Sequence, residues 1–287
     1  MGEQHEASFA TKVTRYVIAG GIAGGLEVLS LYPLDVIKTR MQLATTNMSV
    51  GQMSTALYNE GGMSIFYRGI ISPLLAEAPK RACKFTFNQI YKPIFKGDQY
   101  VLGAGASGAA AGMTEAFINC PFEVVKVRLQ SKTYKSQYSG VLDGVRQMLQ
   151  QEGAMSLYRG IQAQLWRNGV WNGVYFASIM QINGMLPAKE SKSGKLFNKF
   201  IAGFIGGSLA TASNTPFDVA KSLMQNEKSG STKYNGTLQT ISTLYKEQGL
   251  KACYRGLMPR IYRLGPGGGI MIVAFDFIST KLEQNGF

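Results

Sequence analysis

The sequence predicts an all-α membrane protein: six transmembrane helices in three pseudo-symmetric two-helix repeats, with three short amphipathic helices gathered on one side. Three observations carry this. The segments PLDVIKTRMQ from Pro33, PFEVVKVRLQ from Pro121 and PFDVAKSLMQ from Pro216 share a proline, an acid two residues on, a lysine three further, and a glutamine nine residues after the proline. A second landmark follows each, Tyr67-Arg68-Gly69, Tyr158-Arg159-Gly160 and Tyr254-Arg255-Gly256, lying 34, 37 and 38 residues beyond its proline, so two independent marks keep register through three copies. The composition agrees: 45% of residues are hydrophobic, only 16% are charged and 34 of 287 are glycine, a balance that suits close-packed helices in lipid better than a soluble surface.

The repeats divide the chain at 1–96, 97–192 and 193–287. Each opens with a small-residue helix, where glycines at i and i+4 (Gly20 and Gly24, Gly108 and Gly112, Gly203 and Gly207) are expected to let backbones approach closely. Pro33, Pro121 and Pro216 remove one backbone hydrogen bond each and are expected to bend these helices alike. Short amphipathic segments follow at 50–59, 141–151 and 237–247, which read as interfacial rather than spanning. Second apolar helices are expected at 72–91, 163–182 and 258–280. No stretch holds 18 uninterrupted apolar residues, so polar groups must be hidden inside a bundle. Three units closing around an axis achieve this within one chain, which is expected to work as a monomer.

Several function classes are disfavoured. The net charge of +13 is dispersed over the chain at repeat positions, unlike a nucleic-acid surface, and leaves anionic lipid or an anionic substrate as its partner. Cys83, Cys120 and Cys253 lack C-x-x-C spacing, and the single histidine, His5, has no other histidine to join it, so neither a disulfide framework nor a metal site is expected. There is no P-loop, no G-x-G-x-x-G after a strand and no nucleophile-histidine pair, so no enzyme and no cofactor are expected. The GPGGGI run at 265–270 falls inside a predicted helix and lacks the Lys-Ser/Thr ending of a phosphate loop. A soluble helical-repeat scaffold would carry charged outer faces, whereas these helices are apolar or small nearly all round. No cleaved secretory signal is expected.

Asp35, Lys38, Glu123, Lys126, Asp218 and Lys221 fall within apolar helices, where an ionisable group costs about 3 kcal/mol or more unless paired or hydrated. In a three-fold ring the acid of one unit can meet the lysine of another: Asp35 with Lys126, Glu123 with Lys221, Asp218 with Lys38. Such a ring closes one end of a central cavity.

The tripled P-x-[DE]-x-x-[KR], with its aromatic-basic-glycine marks, resembles the mitochondrial carrier family over almost the whole chain. The resemblance implies three-fold pseudosymmetry, a central substrate site, alternating access between two gates, and a multi-pass protein of the mitochondrial inner membrane. It also implies that Gln42, Gln130 and Gln225 brace the matrix gate. One departure is visible: the second basic position of the signature, Arg40 and Arg128, is Leu223 in the third copy. The opposite, cytosolic gate matches less well, with Gln89 and Lys92, Met180 and Asn183, and Asp276 and Ser279 at its positions, so only Lys92 with Asp276 can pair there.

Selectivity is expected where the even helices present polar groups near mid-depth. Aligned on their gate positions, Ala76, Arg167 and Arg263 are equivalents. One turn later Lys80 stands opposite Trp171 and Gly267, with Lys84 a further turn on. Arginine forks grip carboxylates bidentately and a lysine adds a point charge, so the set suits an anion with two carboxylates on a short chain. Arg167-Asn168 resembles the contact point of keto-acid and carboxylate carriers. The strings SPLLAEAPKRACKF, WRNGVWNGVYF and RLGPGGGIMIVAF resemble the branch that counter-exchanges 2-oxodicarboxylates, implying 2-oxoadipate and 2-oxoglutarate; citrate, malate or a nucleotide is the alternative. Glu77 is expected either to touch substrate or to pair with Lys80 and Arg81. Glu27 and Glu115, each eight residues before a gate acid, are expected to line the cavity or neutralise Lys80 or Lys84.

Cardiolipin is the expected lipid partner. Tyr138-Ser139-Gly140 and Tyr234-Asn235-Gly236 precede helix amino termini that can receive lipid phosphates, together with Gly69, Gly160 and Gly256 of the second landmarks. Asn47-Met48-Ser49 stands at that place in the first copy, so its lipid site is expected to be the weakest.

Overall fold

A computed structural model describes residues 2–96, 99–134, 137–187, 192–228 and 233–284. The helices are α1 (Gly2–Leu43), α2 (Val50–Gly61), α3 (Ile71–Ile94), α4 (Val101–Gln130), α5 (Val141–Glu152), α6 (Ile161–Met185), α7 (Lys192–Asn226), α8 (Thr237–Gln248), the single-turn α9 (Leu250–Cys253) and α10 (Leu257–Gln284). Among the described residues there is no strand. Six helices, α1, α3, α4, α6, α7 and α10, are long. The shortest of them, α3, has 24 residues, which at about 1.5 Å per residue spans roughly 36 Å, more than a bilayer's hydrocarbon core. The three predicted second helices are present as α3, α6 and α10, each a few residues longer at its ends than the expected range.

Each long helix packs on its neighbour in chain order, and α10 closes the ring on α1. Among the described residues only the stretch Ile18–Leu43 is apolar enough to stand out as a span, at a mean hydropathy of 1.2. The reason is an inverted distribution of polarity. Leu26, Leu29, Leu75, Phe117, Phe200, Leu209, Val273 and Phe277 are exposed on the outside of the long helices, while Asp35, Gln42, Arg128, Asp218, Lys221 and Gln225 are buried. A stripe of buried polar side chains dilutes each helix's hydropathy without exposing charge to lipid.

The close-approach reading of the glycine pairs holds in the second repeat. A Cβ at Gly108 would stand 2.3 Å from the Phe176 ring, and one at Gly112 would stand 2.3 Å from the Asn172 amide, so these glycines let α4 seat on α6. In the third repeat a Cβ at Gly207 would meet Leu264 at 3.4 Å and Tyr175 at 3.9 Å, an ordinary contact, while Gly20 and Gly203 have nothing within 4 Å among the described residues.

The Tyr-Arg-Gly landmarks join repeats. Gly69, Gly160 and Gly256 have φ of 81°, 74° and 78°, a left-handed turn that glycine adopts without strain. Each also seats against the first helix of another repeat: Gly69 on Leu129, Gly160 on Met224 and Gln225, Gly256 on Lys38 and Gln42. The arginines extend the same joints. Arg68 donates to the Tyr138 carbonyl at 2.9 Å, and Arg255 donates to the carbonyls of Ala44 and Thr45 and to Asn47 Oδ1.

The departure at Leu223 has a structural counterpart. In the first two repeats the second signature arginine ties the long helix to the amphipathic one: Arg40 pairs with Glu60 at 3.0 Å, and Arg128 holds both oxygens of Glu152. Arg128 also donates to the carbonyls of Gln225 and Glu227 at the end of α7. In the third repeat Leu223 instead packs beside Val219, Leu244, Ala252 and Cys253, so apolar contact replaces the ion pair.

Candidate functional site

The three first helices, α1, α4 and α7, meet at their carboxyl ends, and the six signature charges meet there with them. Lys126 Nζ lies 2.9 Å from Asp35 Oδ2, Lys221 Nζ 2.8 Å from Glu123 Oε2, and Lys38 Nζ 2.7 Å from Asp218 Oδ2. Every pair joins two different repeats. The sequence puts each acid and lysine three residues apart on one helical turn, so the acid reaches one neighbour while the lysine reaches the other. Breaking one buried pair leaves a charge stranded, at a typical cost of about 3–5 kcal/mol.

The three glutamines lie beside this ring with different partners. Gln42 Nε2 donates to Asp218 Oδ2 at 2.7 Å, and its carbonyl accepts from Ser222. Gln130 donates to the Tyr32 hydroxyl at 3.0 Å; that hydroxyl donates to the Arg68 carbonyl, and Lys126 sits 5.4 Å over the Tyr32 ring. Gln225 is fully buried against Gly160. Tyr32 was not visible as a site residue in the sequence, because Cys120 and Thr215 occupy its place in the other copies and no repeat marks it.

Immediately beyond the ring lie the arginines of the even helices, both already engaged. Arg167 Nε donates to Asp218 Oδ1 at 2.8 Å. Arg263 spans two carboxylates, with Nη1 on Asp35 and Nη2 on Glu27 at 3.2 Å. Their side chains retain 24% and 29% exposure, so both open onto the space between the helices. A third arginine that sequence alignment at a single depth passed over, Arg260, stands one turn before Arg263 and lies 3.6 Å from Asp218.

The other predicted cavity residues divide. Asn168 is buried, accepting from Arg167 Nη1 at 2.7 Å and donating to the Gly112 carbonyl at 3.0 Å, so it orients Arg167 rather than facing the cavity. Lys80 pairs with the buried Glu77 at 2.5 Å, the structural alternative for Glu77. Trp171 donates to Thr211 Oγ1 and stacks on Tyr175 with ring centroids 4.7 Å apart, forming an aromatic wall. Glu27 takes Arg263, not Lys80, and Glu115 is buried on α4. The side chain of Lys84 lies outside the described residues.

At the opposite end Gln89 and Asp276 are exposed and Lys92 is half-buried. Among the described residues no ion pair joins Lys92 to Asp276. Among the described residues the signature charges tie the bundle at one end, and no Lys92–Asp276 pair matches them at the other.

The amino termini of the amphipathic helices differ as well. That of α2 is closed by a capping box, with Ser49 and Gln52 bonded to each other's backbone N–H. Those of α5 and α8 begin at Gly140 and Gly236 with no side-chain cap. Asp143 stands in the first turn of α5, where the Ser139 backbone N–H holds its carboxyl below the usual carboxylate range. At α8 the Thr237 N–H donates to Gln162 of the second repeat.

Comparison with known proteins completes the assignment. The family model for mitochondrial carrier proteins matches residues 10–99, 97–190 and 192–286. The chain is 42% identical over 279 residues to the mitochondrial 2-oxodicarboxylate carrier 2 of Saccharomyces cerevisiae, covering 90% of each chain. It is 38% identical over 299 residues to the human mitochondrial 2-oxodicarboxylate carrier, covering 99% of this chain and all of that one. It is 43% identical over 277 residues to the mitochondrial citrate transporter D of Aspergillus niger, covering 90% of each. With its three matched repeats and its closed ring of six long helices, this chain belongs to the mitochondrial carrier family, whose members are multi-pass transporters of the mitochondrial inner membrane and not enzymes.

Proposed function

We propose that this chain exchanges 2-oxodicarboxylates, 2-oxoadipate against 2-oxoglutarate, across the mitochondrial inner membrane by alternating access. The observation that carries the reading is the placement of Arg167 and Arg263 on α6 and α10, at equivalent positions of two repeats and with open faces. A dianion entering a partly dehydrated cavity needs at least two cations, and arginine forks match carboxylates in shape. The names of the yeast and human relatives support the same substrate class.

In this reading the ring of Asp35, Lys38, Glu123, Lys126, Asp218 and Lys221 is the closed matrix gate, with the cytosolic gate around Gln89, Lys92 and Asp276 open. Each arginine is held by a gate aspartate while the site is empty. An arriving dicarboxylate exchanges its own carboxylates for Asp218 and Asp35, which loosens the gate at the moment the site fills. Differential affinity of substrate for the two states is what drives the switch. Trp171 and Tyr175 flank the short carbon chain, and Asn168 keeps Arg167 aimed.

Citrate is the second reading, favoured by the name of the Aspergillus relative. A screen of uptake into proteoliposomes separates the two: 2-oxoglutarate and 2-oxoadipate are expected to outcompete citrate, malate and ATP, and the opposite order overturns the assignment.

The chain works as a monomer and holds cardiolipin at the repeat junctions. The amino termini of α5 and α8 beside Gly140 and Gly236 carry no N-cap side chain, and apart from the Thr237 N–H taken by Gln162 their first-turn N–H groups can face a lipid phosphate, whereas the capping box of α2 has already used its own. Gly69, Gly160 and Gly256 shape these junctions from the other side by seating one repeat on another.

A further inference from the structure

The charges around the gate are unevenly matched. Arg263 and Lys126 together face two carboxylates, Asp35 and Glu27. Lys221 faces Glu123. Lys38, Arg167 and Arg260 all converge on the single, fully buried carboxylate of Asp218: Lys38 at 2.7 Å, Arg167 at 2.8 Å and Arg260 at 3.6 Å. Among the described residues no other carboxylate forms an ion pair with any of these three, and Glu115 and Glu123 act on Arg167 only from longer range. The surplus positive charge of the site is therefore not spread around the three-fold axis. It sits between α6, α7 and α10.

Arg260 is held in place without being used up. Its Nη1 donates to Asn214 Oδ1 at 3.0 Å and Thr215 Oγ1 at 3.4 Å, and Asn214 in turn donates to the Arg167 carbonyl at 3.2 Å, so one buried amide ties both arginines to α7. Arg260 Nε and Nη2, and Arg167 Nη2, have no protein acceptor among the described residues, and none of the three is among the atoms sealed from solvent. Adjacent guanidinium groups that share one carboxylate and keep solvent-reaching donors are suited to receive a further anion.

We propose that Arg260 is a substrate-binding residue: with Arg167 it forms a two-arginine seat for one carboxylate of the transported anion, beside Asp218. This rests on the dicarboxylate reading above and sharpens it. The sequence places the substrate between Arg167 and Arg263, but Arg263 already faces two carboxylates. The first carboxylate to arrive goes to the Arg167–Arg260 seat, and Arg263 receives the second one only by releasing Asp35 or Glu27.

The test is 2-oxoglutarate exchange in proteoliposomes with Arg260→Gln, whose amide can still reach Asn214 and Thr215, and with Arg260→Lys, which keeps the charge but loses the fork. Thermal stability of the purified protein in detergent, with and without 2-oxoglutarate, is read alongside. Arg260→Gln is expected to raise KM about tenfold or more, the loss of one charge-assisted contact. It should also abolish the substrate-induced rise in Tm while the unloaded Tm stays near the parent's. Arg260→Lys is expected to fall between the two. A lower maximal rate with unchanged KM and an unchanged substrate-induced shift would assign Arg260 to the gate and overturn the proposal. If Arg260→Gln fails to fold, Arg260→Lys decides: a raised KM supports the seat and the parent KM rejects it. Failure of the underlying reading shows separately, as a parent protein that exchanges no dicarboxylate, and the same variants are then decided with the anion the parent does exchange.

Discussion

Arg167 Nε lies 2.8 Å from Asp218 Oδ1, so the α6 arginine proposed to receive substrate is bound to a carboxylate on α7 that belongs to the ring of signature charges. Arg263 repeats the relationship with Asp35. In the proposed function binding and gating therefore share groups, and changing one should disturb the other.

The ring itself is tested best at the pair with the fewest other partners. Glu123 is bound by Lys221 and, weakly, by Asn119, whereas Asp35 and Asp218 also hold arginines. Lys221→Ala is expected to lower exchange at least tenfold by stranding Glu123. The exchanged pair Glu123→Lys with Lys221→Glu should recover part of it. The double variant Glu123→Lys with Lys38→Glu, which crosses the wrong pairs, should not. Equal recovery by both would mean that charge alone, not partnership, matters.

Arg167 and Arg263 should differ in how they fail. Arg167→Ala removes half of the two-arginine seat and is expected to lower exchange at least tenfold through KM. Arg263→Lys cannot span Asp35 and Glu27 with one ammonium, and is expected to lower the unloaded Tm as well as the rate. Exchange kinetics and detergent melting curves of the two variants make the comparison.

Arg128 carries the joint between the second and third repeats, with Glu152 and the carbonyls of Gln225 and Glu227 as partners. Arg128→Leu, which copies the natural Leu223, is expected to destabilise by about 3–5 kcal/mol because it breaks a buried two-oxygen ion pair with Glu152 and removes the donor of two carbonyls. Leu223→Arg would bury a charge among Val219, Leu244 and Cys253 and should destabilise as well. An unchanged melting temperature for Arg128→Leu would show that the apolar solution of the third repeat works equally well in the second.

Gly256 has a φ of 78°, and an added Cβ would meet the Lys38 carbonyl at 3.1 Å. Gly256→Ala should cost about 1–2 kcal/mol for the left-handed backbone alone. The loss is read as a fall in Tm, with Gly51→Ala as a control because nothing lies within 4 Å of that glycine.

Lipid occupancy should follow the helix amino termini. Native mass spectrometry with cardiolipin is expected to show the strongest site at α8, a weaker one at α5, where the charged Asp143 repels phosphate, and the weakest at α2. Asp143→Asn should strengthen the α5 site. Equal occupancy at all three junctions contradicts the capping argument.

The repeat made most of the fold legible, because two landmarks in fixed order imply one supersecondary unit used three times. The inter-repeat partners of the signature charges were legible for the same reason: an acid and a lysine on one turn reach opposite neighbours. What the repeat does not mark was harder to read. Arg260 aligns with Gln164 and Pro73, so nothing in the other copies points to it. Asn168 reads as a cavity residue because it adjoins Arg167, yet adjacent helical positions lie about 100° apart, and Asn168 is turned into the α4 contact. Gly20 and Gly203 occupy the same register as Gly108 but have nothing within 4 Å among the described residues, so register alone does not show which glycine of a pair makes the contact.

Counter-exchange measures the central claim most directly. Uptake of labelled 2-oxoglutarate is followed into proteoliposomes loaded with 2-oxoadipate, with citrate, with ATP or with buffer alone. Rapid uptake driven by internal 2-oxoadipate, little or none with ATP or buffer, and its loss in Arg167→Ala is the expected result. Uptake that ignores the internal anion, or that persists at the parent rate in Arg167→Ala, would contradict the account.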